Sequence, residues 1–308
     1  MPSTREIRRR IRSVANMSQI TRAMEMVSAA KMRKAQQRVT ASRPYSEQLR
    51  QIMSDLATQQ PDPEQLAQFP LLQTRPVRNI ELIVVTPDRG LTGALNTNIL
   101  RRGTRFILEK TPPSSGGETP PSGRGGPGGE PRASVQVIAV GKKARDYFVR
   151  TRQDVIAEFI GIGDTTTLDA VRPIADIAID DFASGKADAV YVVYSKFINT
   201  LVQRPEVLQI LPVEPPPAHE GYADYIFEPT PADVLNELLP RYVEVQLYQA
   251  ILEGIASEHS ARMVAMRSAS DNAKEIQQEL TLSYNKARQA QITREVSEIA
   301  AGANAMAG

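Results

Sequence analysis

Residues 241–300 read RYVEVQLYQAILEGIASEHSARMVAMRSASDNAKEIQQELTLSYNKARQAQITREVSEIA, with Gly254 as their only helix-weakening member. Alternate steps of three and four residues from Leu238 meet Tyr242, Val245, Gln249, Leu252, Ala256, His259, Met263, Met266, Ser270, Ala273, Gln277, Leu280, Tyr284 and Ala287. That is a heptad seam, mostly apolar or small. At roughly 1.5 Å per residue the stretch would run about 90 Å, too long for the core of a compact domain.

The other end of the chain supplies a match. Ile7, Ile11, Val14, Met17, Ile20, Met24 and Val27 recur at helical spacing, and the pattern stays helix-compatible to about Ala57. An amphipathic helix must bury its stripe, and the comparably long stripe lies at the opposite terminus. The sequence therefore predicts a long antiparallel coiled coil made from an N-terminal helix, 1–57, and a C-terminal helix, 230–308. Pro240 interrupts the start of the latter and predicts a kink or a restart, since an internal proline removes a hydrogen bond at about 3 kcal/mol.

Between the helices lie short β-branched runs at 80–86 (IELIVVT), 135–140 (VQVIAV), 189–194 (AVYVVY) and 207–211 (VLQIL), with a further run at 155–159. They read as buried strands. Helical segments near 94–109, 142–150 and 168–184 alternate with them, which implies a mostly parallel sheet covered on both faces. The fold class is α/β: a terminal coiled coil plus an inserted Rossmann-like domain over 76–215. Residues 111–134 hold six Pro and seven Gly and read as a disordered surface insertion.

Composition excludes several function classes. Net charge is only +2, yet residues 1–50 carry twelve Lys or Arg against three Glu, so the first helix is the basic end. There is no Cys and there are two His, which excludes disulfides, thiol catalysis and a His-rich metal site. No apolar run approaches bilayer length and no secretory leader opens the chain, so the expectation is a soluble or peripheral protein, most simply cytoplasmic. Aromatics are 5% with no Trp, which argues against binding single-stranded nucleic acid by base stacking.

No active site can be assembled. Residues 86–96 (TPDRGLTGALN) follow a strand and open a helix, where a phosphate loop would sit, but they match neither GxGxxG nor GxxxxGK[ST]. Gly161-Ile162-Gly163-Asp164 lacks a following helix start with Lys. His259 falls on the heptad seam, where a packed, hydrogen-bonded histidine is the default, and His219 lies in a Pro-rich loop. No catalytic, cofactor-binding or metal-ligating set is assigned. Arg5, Arg8, Arg9 and Arg12 fall opposite Ile7, Ile11 and Val14, either as a solvated face or as a surface for an acidic partner.

Several segments resemble a known family. IRSVANMSQITRAMEMVSAAKMRKAQ near the N-terminus, Asp88-Arg89-Gly90-Leu91, SEHSARMVAMRSASDN at 257–272 and LTLSYNKARQAQITREVSEI at 280–299 are similar to the gamma subunits of F-type ATP synthases, bacterial type. The middle resembles them more weakly, through GKKARDYF at 141–148 and KFINT at 196–200, and the 111–134 tract has no counterpart in the usual pattern.

The resemblance implies a rotary central-stalk subunit with no active site of its own. Its coiled coil would stand inside a hexamer of alternating alpha and beta subunits, and its α/β domain would rest on the c-ring beside the epsilon subunit. Proton-driven ring rotation would then drive ATP synthesis, or hydrolysis in reverse, at the cytoplasmic face of a bacterial cell membrane, with the chain peripheral. By match to the ITRAMEMV and KARQAQIT segments, Met24, Arg288, Gln289 and Thr293 are torque-contact candidates. Arg8, Arg9 and Arg12 join them on electrostatic grounds. Two other classes stand against this: a basic coiled-coil scaffold for nucleic acid, which lacks base-reading groups, and a nucleotide-using α/β enzyme, which requires ligand binding by the isolated chain.

Overall fold

The computed structural model describes residues 3–58, 69–111, 133–214 and 230–307. The chain divides into two units, Met1–Ala29 with Arg262–Gly308, and Ala30–Ala261. Two long helices contribute to both: α1 (Thr4–Thr58) and the last helix, α5 (Pro231–Ala307). α5 passes through Pro240 as one helix, so the restart expected there does not occur. Leu239, Tyr242 and Val243, buried on either side of the proline, hold the chain in place across the lost hydrogen bond.

In the first unit the two helices pair antiparallel. Thr4 meets Gln291 at 3.3 Å, Arg8 hydrogen-bonds Tyr284, Ser18 meets Ser270 and Arg267 reaches Glu25 at 2.7 Å. Met263, Met266, Ser270 and Ala273 are buried, as the heptad steps on α5 require. On α1 the expected stripe holds for Ile7, Ile11 and Val14 and then fails: Met17, Ile20 and Val27 are each more than half exposed. The helix turns Ser18, Thr21 and Ser28 inward instead. These side chains are short enough for close approach, and their hydroxyls find carbonyls, Thr21 Oγ1 donating to Met17 O at 3.0 Å and Ser18 lying 3.5 Å from Ser270 O.

The second unit is a sheet covered on both sides. β1 (Asn79–Val85), β2 (Ser134–Val140), β3 (Asp154–Phe159), β4 (Ala189–Phe197) and β5 (Gln203–Leu211) lie in the order β3-β2-β1-β4-β5. All pairings are parallel except β4 with β5. The antiparallel edge strand carries Pro205, which an edge tolerates because a neighbour on that side is not needed. The helices between strands are α2 (Leu95–Lys110), α3 (Lys142–Arg150) and α4 (Leu168–Ala183).

Strand alternation sorts the core into two layers. Ile80, Leu82 and Val84 of β1 pack with Ile99 and Phe106 of α2 and with Phe148 of α3. Ile83 and Val85, on the opposite face, join Ile174 and Phe182 of α4, Leu49 and Met53 of α1, and Val243, Leu247 and Ile251 of α5. Burial on both faces is why these strands are near-continuous apolar runs rather than alternating ones. Most of the Pro/Gly tract, 112–132, lies outside the described residues, as does His219. The tract's ends meet, since Thr111 Oγ1 donates to Ala133 O at 2.9 Å.

Candidate functional site

In an open parallel sheet a ligand binds at the carboxyl ends of the strands, where the winding direction reverses. From β1 the chain winds outward to β2 and β3, then crosses back to place β4 on the other side of β1. The reversal therefore falls between β1 and β4, and α5 occupies it. A Cβ added at Gly254 would stand 3.4 Å from Val85 Cγ1 at the end of β1, so glycine lets the helix backbone close onto the strand. One turn on, the fully buried Ser257 donates its hydroxyl to Ser195 O of β4 at 2.8 Å.

The nearby loop after β1 fills its own anion position. Asp88 Oδ1 accepts from Lys142 N at 2.7 Å, at the first turn of α3, and Oδ2 accepts from Gly161 N at 3.0 Å, after β3. A helix N-terminus favours negative charge through its free N–H groups and dipole, and here the chain supplies that charge itself. Thr86 completes the junction: its hydroxyl accepts from Ala144 N at 2.8 Å, and its carbonyl sits where Gly141 at φ 94° would carry a side chain. Within the 86–96 stretch Gly93 at φ 55° forms a turn ahead of α2, and Leu91 also takes a left-handed backbone at φ 64°.

The Gly161–Gly163 loop lines an open cleft of about 450 Å³ together with Thr165, Thr166 and Thr167. Asp164, next in the chain, is bound on two sides. Oδ1 lies 2.7 Å from His259 Nε2 of α5, and Oδ2 lies 2.6 Å from Lys31 Nζ of α1. Burial opposes the charge on Asp164, but the hydrogen bonds and charges of Lys31 and His259 outweigh it and hold the carboxyl below its ordinary range. His259 is 2% exposed, a packed and hydrogen-bonded seam residue as the spacing predicts. The sequence carried no signal for its partner, which lies 95 positions away.

The surface candidates lie in the coiled unit. Arg288, Gln289 and Thr293 are exposed, and Met24 is half-buried. Thr293 spends its hydroxyl locally, donating to Gln289 O at 2.9 Å. Arg9 and Arg12 are exposed without a cross-helix partner in the described contacts, whereas Arg8 stacks over the Tyr284 ring, 5.2 Å from its centroid. Arg8 is thus engaged within the coil. Beyond Gln291, which meets Thr4, α5 outruns the described start of α1, and Ile292, Val296, Ile299 and Met306 are all exposed. Among the described residues no helix is long and apolar enough to cross a membrane.

Comparison with known proteins agrees with this architecture. A family model described as ATP synthase matches residues 3–306. The ATP synthase gamma chain of Roseiflexus castenholzii is 56% identical over 310 aligned positions, covering 100% of this chain and 99% of its own. That of Chloroflexus aurantiacus is 52% identical, covering 99% of each. Among solved structures, a chain of the Euglena gracilis mitochondrial ATP synthase rotor superposes with a TM-score of 0.62 at 19% identity, covering 94% of this chain and 98% of its own. A chain of the Tetrahymena thermophila mitochondrial ATP synthase central stalk and c-ring gives 0.60 at 22% identity, covering 82% and 99%. At those identities the structural likeness speaks for the fold, and the sequence relatives speak for descent. The chain belongs to the ATP synthase gamma chain family.

Proposed function

We propose that this chain is the turning shaft of an F-type ATP synthase, standing within a hexamer of alpha and beta subunits and coupled to a membrane c-ring beside an epsilon subunit. Its role as a non-catalytic stalk subunit follows from the family. In physical terms the shaft is an effector: each of its orientations must interact differently with the open and closed states of a beta subunit, or rotation shifts nothing. Proton-driven turning then biases the catalytic sites in sequence, and ATP hydrolysis reverses the motion. The chain itself is peripheral, at the cytoplasmic face of the membrane.

The observation that carries the reading is the surface of the coiled unit. Met17, Ile20 and Val27 on α1 and Ile292, Val296 and Ile299 on α5 are large apolar side chains left exposed on long helices. Such apolar surface marks an interaction face. A hexamer that encloses the coil would cover it. The closed β1/β4 crevice supports the same reading, since the position a nucleotide would take is filled by α5.

Within this scheme Met24, Arg288, Gln289 and Thr293 contact the beta subunits, and Arg9 and Arg12 attract acidic groups on them; Arg8, also expected there from its charge, is held within the coil by Tyr284. The working division of the chain is 1–57 and 230–308 as shaft and 76–215 as the domain facing the ring, with 111–134 a spacer. Co-purification from membranes tests the assembly: alpha, beta, epsilon and c subunits should accompany the tagged chain. Recovery of the chain without alpha and beta would reject it.

A further inference from the structure

One residue fastens both long helices to the sheet domain. Asp164, in the loop between β3 and α4, pairs through its two carboxylate oxygens with His259 of α5 and Lys31 of α1. Its carbonyl also accepts from the Arg38 guanidinium of α1. The side of α5 facing β4 and β5 is held separately. Ser257 donates to Ser195 O at 2.8 Å, and Ser260 donates to Thr200 O at 2.7 Å.

The angular placement of these contacts matters. At 3.6 residues per turn, Ser257 and His259 lie about 200° apart around the helix axis. α5 is therefore gripped on opposite sides within one turn, and Gly254 seats it on β1 one turn earlier. A helix held only by apolar packing can roll by letting rotamers readjust, whereas directional hydrogen bonds on opposite sides resist rolling. Asp164 is the one residue of this set that also reaches α1, so it ties the two helices and the domain into a single joint.

We propose that Asp164 is a torque pin, a positioning residue that locks α1 and α5 rotationally to the α/β domain so that turning force crosses between domain and shaft without slip. This rests on the stalk reading above. A pin of this kind has a signature that general stabilisation lacks. Without it, catalysis on the beta subunits continues while the motion is incompletely delivered to the ring.

The test uses membrane vesicles carrying the whole complex with Asp164→Ala in this chain. ATP hydrolysis and ATP-driven proton pumping are measured on the same vesicles. Hydrolysis should stay near the parental rate while protons pumped per ATP fall about fivefold or more. Asp164→Asn, which keeps the size and a hydrogen bond but removes the charge from Lys31, should fall between parent and alanine variant. The proposal is overturned if the pumping-to-hydrolysis ratio is unchanged, or if both rates drop by the same factor. Should Asp164→Ala not assemble, the double variant Lys31→Ala with His259→Gln, which leaves Asp164 in place, is judged by the same ratio. Failure of the stalk reading is distinguishable, because it appears in the parental vesicles as hydrolysis without any pumping.

Discussion

Glu81 gives the chain a defined loss of stability as the pH rises. It sits on β1, in register with Gln136 of β2 and Val190 of β4, and is 1% exposed. Among the described residues its Oε1 has no hydrogen-bond partner. Burial, and secondarily the charge of Asp181, pushes its carboxyl from 4.5 up to about 7. Below 4.5 the group is neutral folded or unfolded. Between 4.5 and about 7 the unfolded chain gives up the proton while the native chain keeps it, so stability falls as pH rises. Above about 7 both states are ionised and the fall levels off. Between about pH 5 and about pH 8 this amounts to roughly 2.5 kcal/mol, at about 1.4 kcal/mol per pH unit.

Glu81→Gln removes the titration while keeping the shape. Its amide carries its own unpaired-group cost of about 1–3 kcal/mol, but that cost does not vary with pH. The quantity to read is therefore the difference between the pH dependences of parent and variant, in which every other titrating group cancels. Urea denaturation of the full chain, followed by far-ultraviolet circular dichroism at the two pH values, provides it. The parent should lose about 2.5 kcal/mol more than the variant over that interval. Parallel curves, differing by less than about 1 kcal/mol, would refute a neutral Glu81 in the core.

Two further perturbations follow from the geometry. In Gly141→Ala the new Cβ would stand 1.9 Å from Thr86 O at a φ of 94°, so a loss above about 3 kcal/mol is expected in thermal or urea unfolding. Gly90→Ala, whose added Cβ meets nothing within 4 Å, is the near-neutral control, and equal effects of the two would contradict the assignment. Arg288→Ala with Gln289→Ala should lower both ATP synthesis and hydrolysis by about tenfold or more, from the loss of a charge-assisted hydrogen bond of about 1.5–3 kcal/mol. Helicity and recovery with alpha and beta should stay normal, because both side chains are exposed and alanine favours helix; parental turnover or failed assembly would remove them from the torque path.

The long helices were legible because periodicity over many turns averages out single residues. The α5 seam steps through Met263, Met266, Ser270 and Ala273, all of which are buried. On α1 the same rule went astray at Met17. Counting apolar side chains selected Met17, Ile20 and Val27, but the helix buries Thr21 and Ser28 and half-buries Ser18 beside Ser270 of its partner. A sequence pattern does not say whether an apolar stripe faces its own chain or another one. The strands were readable from β-branched runs. Asp88 as the plug of the α3 N-terminus and Asp164 as a clamp were not. Each depends on residues brought together across the fold, 54 and 73 positions away for Asp88 and 95 for Asp164 with His259. Glu81 likewise gave no sign of its protonation, which depends on the layer above it.

The central claim is that this chain turns relative to the alpha and beta subunits while they hydrolyse ATP. The chain has no cysteine, so a single Cys introduced in place of the exposed Lys143 is its one thiol and can carry a bead or fluorophore, once any cysteines of the partner subunits are replaced. With the beta subunits fixed to a surface and Mg-ATP supplied, the probe should rotate continuously in one direction and stop when ATP is removed. A complex that hydrolyses ATP at its normal rate while the probe shows no directional rotation would contradict the account.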